Sequence, residues 1–321
     1  MKKSIVIITI TLTIFTVFFL FKNSKKSTEK ALYTVGILQT ASHQALDAAR
    51  DGFIEGLNEQ LDNKVSSIIY NAEGSISQAY TIAQRFHANK DINLFFTIAT
   101  PATQAMSAVE KERPIVIAAV TDPGAMGLIY PETNVCGTND MIDVKKEVEM
   151  LIALVPQAKT VGLLYTSGES NSIALVNVMR KELESKGLVP IDFAITNESD
   201  VQAVVESACR KVDVLLAPTD NIVASTIGFV VSLTLKCNKP LIVSDNMLVT
   251  SGALAARGVD YRENGKQASH IAVKLLKGEK KPYQLPIEKA MSDQIFVNKH
   301  TLDMLGLAVP DGLKKEITFV S

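Results

Sequence analysis

A chain of 321 residues is too long for one ordinary core and suits two lobes. Its 47% hydrophobic content is that of a globular protein, and a net charge of −1 supplies no basic excess for a nucleic-acid-binding surface. The three cysteines (Cys136, Cys209, Cys237) and four histidines (His43, His87, His270, His300) show no metal-ligand spacing, and a Cys209–Cys237 disulfide is left open in an oxidising compartment.

In chain order, Lys2 and Lys3 precede an uncharged, mostly apolar run from Ser4 to Phe21. A basic start followed by about 18 such residues predicts an export segment long enough to span a bilayer. With no A-x-A-like cleavage site and no early cysteine to carry a lipid, retention as an inner-membrane anchor stays open. The body is expected outside that membrane, in the periplasm, behind a polar linker that ends at residue 31. Strands are predicted over Thr34–Leu38, Val65–Tyr70, Leu94–Ile98 and Ile115–Ala119, then over Thr160–Leu164, Leu188–Ile195, Val212–Ala217 and Leu241–Val243. Helices are predicted between them, at Gln44–Gln60, Ser75–Asn89 and Asn171–Lys186. In the first helix Ala45, Ala48, Ala49, Phe53 and Leu57 form one apolar stripe. Strands that are apolar throughout are buried on both faces, as in a parallel sheet with helices on each side.

The pattern occurs twice. TVGILQTAS at 34–42 returns as TVGLLYTSG at 160–168, LFFTIATPATQA at 94–105 as VLLAPTDNIVAS at 214–225, and ERPIVIAAVTDP at 112–123 as NKPLIVSDNM at 238–247. Each second copy lies about 120–126 residues after the first, which predicts the same architecture built twice. Open parallel sheets bind ligands beyond the C-terminal ends of their strands, where helix N-termini present free N–H groups. The polar residues collect there: Thr40, Ser42 and His43; Thr100 and Thr103; Thr121 and Asp122; Tyr165 and Asn171; Thr219, Asp220 and Asn221; Ser244 and Asp245. No G-x-S-x-G, H-E-x-x-H, P-loop or G-x-G-x-x-G motif occurs, so neither an enzyme nor a cofactor is expected.

The stretches VGILQTASHQALDAARDGFIEGL (35–57), IATPATQA (98–105), AAVTDPGAMGL (118–128), TVGLLYTSGESNS (160–172), APTDNIVAS (217–225) and GALAARGVDYRENGKQASHIAVKLLKGE (252–279) resemble the extracytoplasmic substrate-binding proteins of ABC transporters. Within these, the chain is similar to the subfamily associated with tryptophan, tyrosine and other hydrophobic amino acids. The resemblance implies the type I periplasmic-binding fold: an α/β protein of two doubly wound, Rossmann-like lobes with parallel sheets, joined by a three-segment hinge. The crossings are expected near Asn139, Gly258–Tyr261 and Lys281–Leu285. Lobe 1 would then be 32–139 plus 260–281, and lobe 2 would be 140–259 plus 285–308, followed by a tail at 309–321. Gly258 and Gly265 are expected at hinge and helix-entry positions.

The implied ligand is a small molecule, an amino acid, and the implied partners are an ABC permease and ATPase. A membrane-anchored sensor is the alternative. The ligand's carboxylate would take donors at Thr100–Thr103 and Thr121, and its ammonium would take Asp122, Asp220 or Asp245, helped by Thr219 and Asn221. Thr40, Ser42 and Asn171 would add hydrogen bonds, and Tyr165 would stack on an apolar side chain. Each polar residue among these also suits a helix N-cap, so capping alone competes with ligand contact at every one.

Overall fold

The computed structural model describes residues 31–128, 131–290 and 294–321. The export or anchor segment therefore lies outside the described residues, and among these no helix is long and apolar enough to cross a membrane. Ten strands run in two series: β1 (Tyr33–Gln39), β2 (Val65–Asn71), β3 (Leu94–Ile98), β4 (Ile115–Val120) and β5 (Val135–Asn139), then β6 (Thr160–Thr166), β7 (Val189–Ile195), β8 (Val214–Ala217), β9 (Leu241–Asp245) and β10 (Ala255–Val259). The first series forms one sheet in the order β5-β4-β3-β1-β2, and the second forms another in the order β10-β9-β8-β6-β7. The same winding order twice, with parallel pairing inside each series, is the duplication expected from the repeated motifs.

Three late strands complete the sheets. β11 (Ile287–Lys289) pairs with β5, β12 (Gln294–Asn298) pairs antiparallel with β10, and β13 (Ile317–Val320) pairs with β12. The third crossing therefore falls between Lys289 and Gln294, not at Lys281–Leu285: Leu285 is buried in the first lobe's core and β11 still belongs to its sheet. The segment 309–321 is likewise no free tail. It ends as an edge strand, and Val309, Leu313 and Ile317 pack on the second lobe's apolar layer.

Every residue of β3 and β4 is buried, as their unbroken apolar runs require. Helix α1 (Gln44–Gln60) turns Ala45, Ala49, Phe53 and Leu57 onto this sheet, and the Phe53 ring stacks on Phe96 with centroids 3.6 Å apart and planes 6° from parallel. Helix α1 lies against a second helix (Tyr261–Leu276) at backbone distance. A Cβ on Gly265 would stand 2.0 Å from the Ala49 carbonyl oxygen. Gly265 is therefore a mid-helix contact and not a helix entry. Gly258 serves a similar close approach, since a Cβ there would lie 2.2 Å from the Ser244 carbonyl oxygen.

The crossings are tied to one another. The Tyr261 hydroxyl donates to Asp140 Oδ2 at 2.8 Å, Asn264 Nδ2 donates to the Asn139 carbonyl at 3.3 Å, and Ala290 N–H donates to the same carbonyl at 3.2 Å. In the second lobe a disulfide joins Cys209, at the end of the helix Val201–Cys209, to Cys237, just past the helix Ile227–Lys236.

Candidate functional site between the lobes

The strand ends of the two sheets face each other and enclose a small cavity. From the first lobe it is lined by His43, Leu46, Ala99, Ala119, Thr121 and Tyr261, with Asp140 from the first crossing. From the second come Asn171, Thr219, Asp220, Asn221, Ala224, Asp245 and Leu248. Its volume is about 20 Å³, room for a water molecule. Beside it opens a cleft of about 220 Å³, lined by Thr40, Ser42, Ile76 and Pro101 of one lobe and by Glu169, Asn221, Ile222 and Ser225 of the other. A wider depression of about 700 Å³, around Tyr80, Lys111 and Glu132, lies on the first lobe alone and contains no residue predicted for the site.

The lobes meet through a few neutral hydrogen bonds. Thr121 and Thr219 pair hydroxyls at 3.2 Å, and His43 Nε2 lies 3.3 Å from Asn221 Oδ1. Gln104 Nε2 donates to Ser170 Oγ at 3.2 Å, and the Thr250 hydroxyl donates to Gln44 Oε1 at 3.4 Å. The backbone is forced at two lining positions: Ala99, after β3, has φ of 72°, and Ala119, in β4, has φ of 57°. Alanine tolerates the left-handed region poorly, so both strand ends store strain where they face the cavity.

The electrostatics are one-sided. Asp140, Asp220 and Asp245 line the inner cavity, Glu169 lies beside it, and no lysine or arginine is among its described lining residues. Asp220 is well supplied with donors. Oδ1 accepts from Thr166 Oγ1 (2.8 Å) and Val223 N–H (3.0 Å), and Oδ2 accepts from Thr166 N–H (2.6 Å) and Ser172 Oγ (2.7 Å). Glu169 Oε2 accepts from Asn221 N–H, Asn221 Nδ2 and Asn171 Nδ2, yet burial and the neighbouring Asp220 still hold its carboxyl above the usual range. Burial also raises Asp140, against the Tyr261 and Thr121 hydroxyls. Asp245 is pushed up to about 7 by burial and by Asp140, although it accepts the Met247 N–H. Burial lowers His43, which favours the neutral imidazole.

Of the residues predicted from sequence, Thr121, Asn171, Thr219, Asp220, Asn221 and Asp245 line the inner cavity, and Thr40 and Ser42 the outer cleft. The others are not brought there. Thr100 is buried at the start of the helix Thr100–Val109, outside both linings. The Thr103 hydroxyl donates to the Ala99 carbonyl and pairs with Thr97 inside the lobe. The same helix has already spent two early N–H groups, Ala102 on Thr40 Oγ1 and Thr103 on the Ala99 carbonyl. Asp122 caps its own turn by accepting the Ala125 N–H. Tyr165 packs on the second lobe's apolar layer with Asp192 and Arg180 for neighbours. Sequence reasoning passed over Asp140, Tyr261, Glu169 and the two strained alanines. Asp140 and Tyr261 were within reach, because they fall on the expected crossings, whereas an alanine gives no sign that its φ will be positive.

Two lobes of identical winding, with a polar cavity between their strand ends, define a binding protein of the type I periplasmic-binding fold. The family model for the ABC transporter substrate binding protein matches residues 34–320, and the chain belongs to that family, whose members bind ligands without converting them. The tyrosine-binding protein of Clostridioides difficile is 32% identical over 291 residues, covering 88% of this chain and 84% of that one. Among solved structures, a Streptococcus pneumoniae ABC domain in complex with L-Trp is 32% identical with a TM-score of 0.86, over 90% of this chain and 99% of that one. The ligand-free, open form of a substrate-binding protein with adhesive properties from Clostridium difficile is 34% identical over the same shares, with a TM-score of 0.68.

Proposed function

We propose that this chain is the solute-binding component of an ABC importer, that it takes an aromatic α-amino acid, tyrosine or tryptophan, between its lobes, and that hinge closure captures the ligand. The observation that carries the reading is the cavity itself: buried carboxylates and neutral hydrogen-bonding groups from both lobes face one another, with no lysine or arginine among the described lining residues. Such a lining suits a ligand that brings its own positive charge together with an apolar part. The amphipathic outer cleft, with Ile76, Pro101 and Ile222 beside Thr40 and Ser42, suits the side chain. The similarity to a tyrosine-binding protein and to an L-Trp complex supports the ligand class. The better match to the ligand-bound structure than to the open one, at nearly equal identity, supports a lobe movement. The ligand contacts fall to Thr40, Ser42, Thr121, Asn171, Thr219, Asn221 and Asp245. The protein works outside the cytoplasmic membrane and delivers its ligand to a permease and ATPase.

The test is thermal unfolding of residues 31–321 in the presence of each of the twenty amino acids. A ligand at 100 times its Kd adds about 2.7 kcal/mol of stability. Tyrosine or tryptophan should raise Tm by several degrees, and no rise with any amino acid would refute the reading.

A further inference from the structure

We propose that Glu169 is a positioning residue for closure of the cleft: its carboxylate takes the NH2 end of the Asn221 amide, turns the carbonyl end toward His43 of the first lobe, and so fixes that imidazole as its Nε2–H tautomer. The inference rests on the functional reading above and adds to it a residue that acts on the closed state through Asn221.

Three observations carry it. The first is a diverted cap. Glu169 is the N-cap of the helix Ser170–Ser185, where a side-chain oxygen normally accepts an early N–H of its own helix, yet it makes no such bond. Its Oε2 accepts instead from Asn221 Nδ2 at 2.6 Å, Asn221 N–H at 3.1 Å and Asn171 Nδ2 at 3.2 Å. The second observation is a difference between the two asparagines. Asn171 Nδ2 also reaches the Thr219 carbonyl at 3.0 Å and Ser172 Oγ at 3.3 Å, so its orientation survives without Glu169. Asn221 Nδ2 has no other hydrogen-bond partner among the described residues. Turned over, Asn221 would set two acceptor oxygens against each other in a buried site, which is costly. The third observation lies across the cleft. Asn221 Oδ1 stands 3.3 Å from His43 Nε2, and an amide carbonyl can only accept, so Nε2 carries the proton. The opposite nitrogen, Nδ1, is buried with no partner among the described residues, a place that suits a bare lone pair better than an N–H. Burial keeps the ring neutral, as this arrangement requires. One carboxylate of the second lobe thus sets, through one amide, which hydrogen the first lobe presents to the cleft.

The experiment joins calorimetric titration with L-tyrosine and L-tryptophan to nitrogen-15 NMR of the histidine rings in the chain saturated with the tighter of the two. The His43 signals are assigned by their loss in His43→Gln. The variants are Glu169→Leu, Glu169→Gln, Asn221→Ala and the double variant Glu169→Leu/Asn221→Ala, each checked for folding by circular dichroism and melting. The wild-type His43 ring should carry its proton on Nε2. Glu169→Leu frees the Asn221 amide to turn, so it should weaken the amino acid by about tenfold and let the His43 ring populate both tautomers. Glu169→Gln keeps an acceptor oxygen and should restore the single tautomer, with affinity within about threefold of the wild type. In the Asn221→Ala background Glu169→Leu should cost less than about threefold more, because the residue through which it acts is gone. Should Glu169→Leu fail the folding check, Asn221→Asp takes its place: it keeps the carbonyl for His43 but sets an oxygen against Glu169 Oε2, and should weaken binding by about tenfold. An unchanged tautomer and affinity in the variant used, or a full effect of Glu169→Leu in the Asn221→Ala background, overturns the assignment while the functional reading stands. If neither amino acid binds the wild type, the functional reading falls and the assignment with it.

Discussion

Glu147 offers a sharp test of how the second lobe is built. It lies in the helix Val144–Leu154, is 0% exposed, and accepts the Ser244 hydroxyl on Oε1 at 2.8 Å, while Oε2 has no partner among the described residues. Burial pushes its carboxyl from 4.5 up to about 8. The raised value fixes the sign. Between these two pH values the folded chain keeps a proton that the unfolded chain has released, so stability falls as pH rises through the window. The full span is worth about 5 kcal/mol, at about 1.4 kcal/mol per pH unit. Glu147→Gln keeps an acceptor for Ser244 and cannot ionise. The stability difference, wild type minus variant, should therefore shrink by about 1.4 kcal/mol for each unit from pH 5 to pH 8. Urea unfolding followed by far-ultraviolet circular dichroism measures it, a probe suited to a chain with no tryptophan. Asp245 titrates in the same range but is common to both proteins and cancels in the difference. Parallel stability profiles would refute the argument.

Three further outcomes are expected. Asp220→Ala removes the acceptor for four donors of the second lobe and should destabilise the free chain by about 3–5 kcal/mol, seen as a lower Tm; an unchanged Tm would mean that the hydrogen bonds to Asp220 do not hold the lobe. Cys209→Ser opens a loop with a sequence separation of 28 and should cost about 3.5 kcal/mol, and reductant should lower the wild-type Tm while leaving the variant unmoved. Gly265→Ala places a methyl group 2.0 Å from the Ala49 carbonyl oxygen and must push two helices apart, at about 1–3 kcal/mol of stability in chemical denaturation; a neutral result would mean that the helices are not in backbone contact.

Much of this architecture could be read from the chain because two strong signals coincide: unbroken apolar runs such as Leu94–Ile98, and their recurrence at nearly constant spacing. The strands the reading missed lack the first signal. β5 carries Gly137, Thr138 and Asn139, β10 is broken by Arg257 and Gly258, β11 is three residues long, β12 has three apolar residues between Gln294 and Asn298, and β13 is half exposed, so little local separates them from loops. Their strand character comes from a neighbour already in place, β5 for β11 and β12 for β13, and an edge pairing of that kind depends on contacts distant in sequence. The site divides in the same way. Post-strand polar residues are visible, but whether such a residue faces the other lobe or caps its own turn depends on one or two rotations of the chain. That is why Thr121 reaches Thr219 while the adjacent Asp122 turns back to Ala125. Tyr165 went astray for a simpler reason: in a strand, alternate side chains take opposite faces, and its face is the one that packs on the lobe's own apolar layer.

The balance of forces across the cleft makes the proposed mode of action coherent. Neutral hydrogen bonds such as Thr121–Thr219 and His43–Asn221 each contribute about 0.5–1.5 kcal/mol net, so the lobes hold each other weakly. Against them stands the cost of enclosing Asp140 and Asp245 with too few donors, a cost that grows as the carboxyls ionise. In the proposed mode of action, a ligand that carries an ammonium group would remove part of that opposing contribution and add its own contacts to both rims. Closure then depends on the differential affinity of the ligand for the closed arrangement, as any population shift requires. Carboxylates that cost stability in the free protein would in this way bind the lobes' closure to the arrival of the right charge, and an anionic or uncharged aromatic molecule of the same shape would leave the penalty in place.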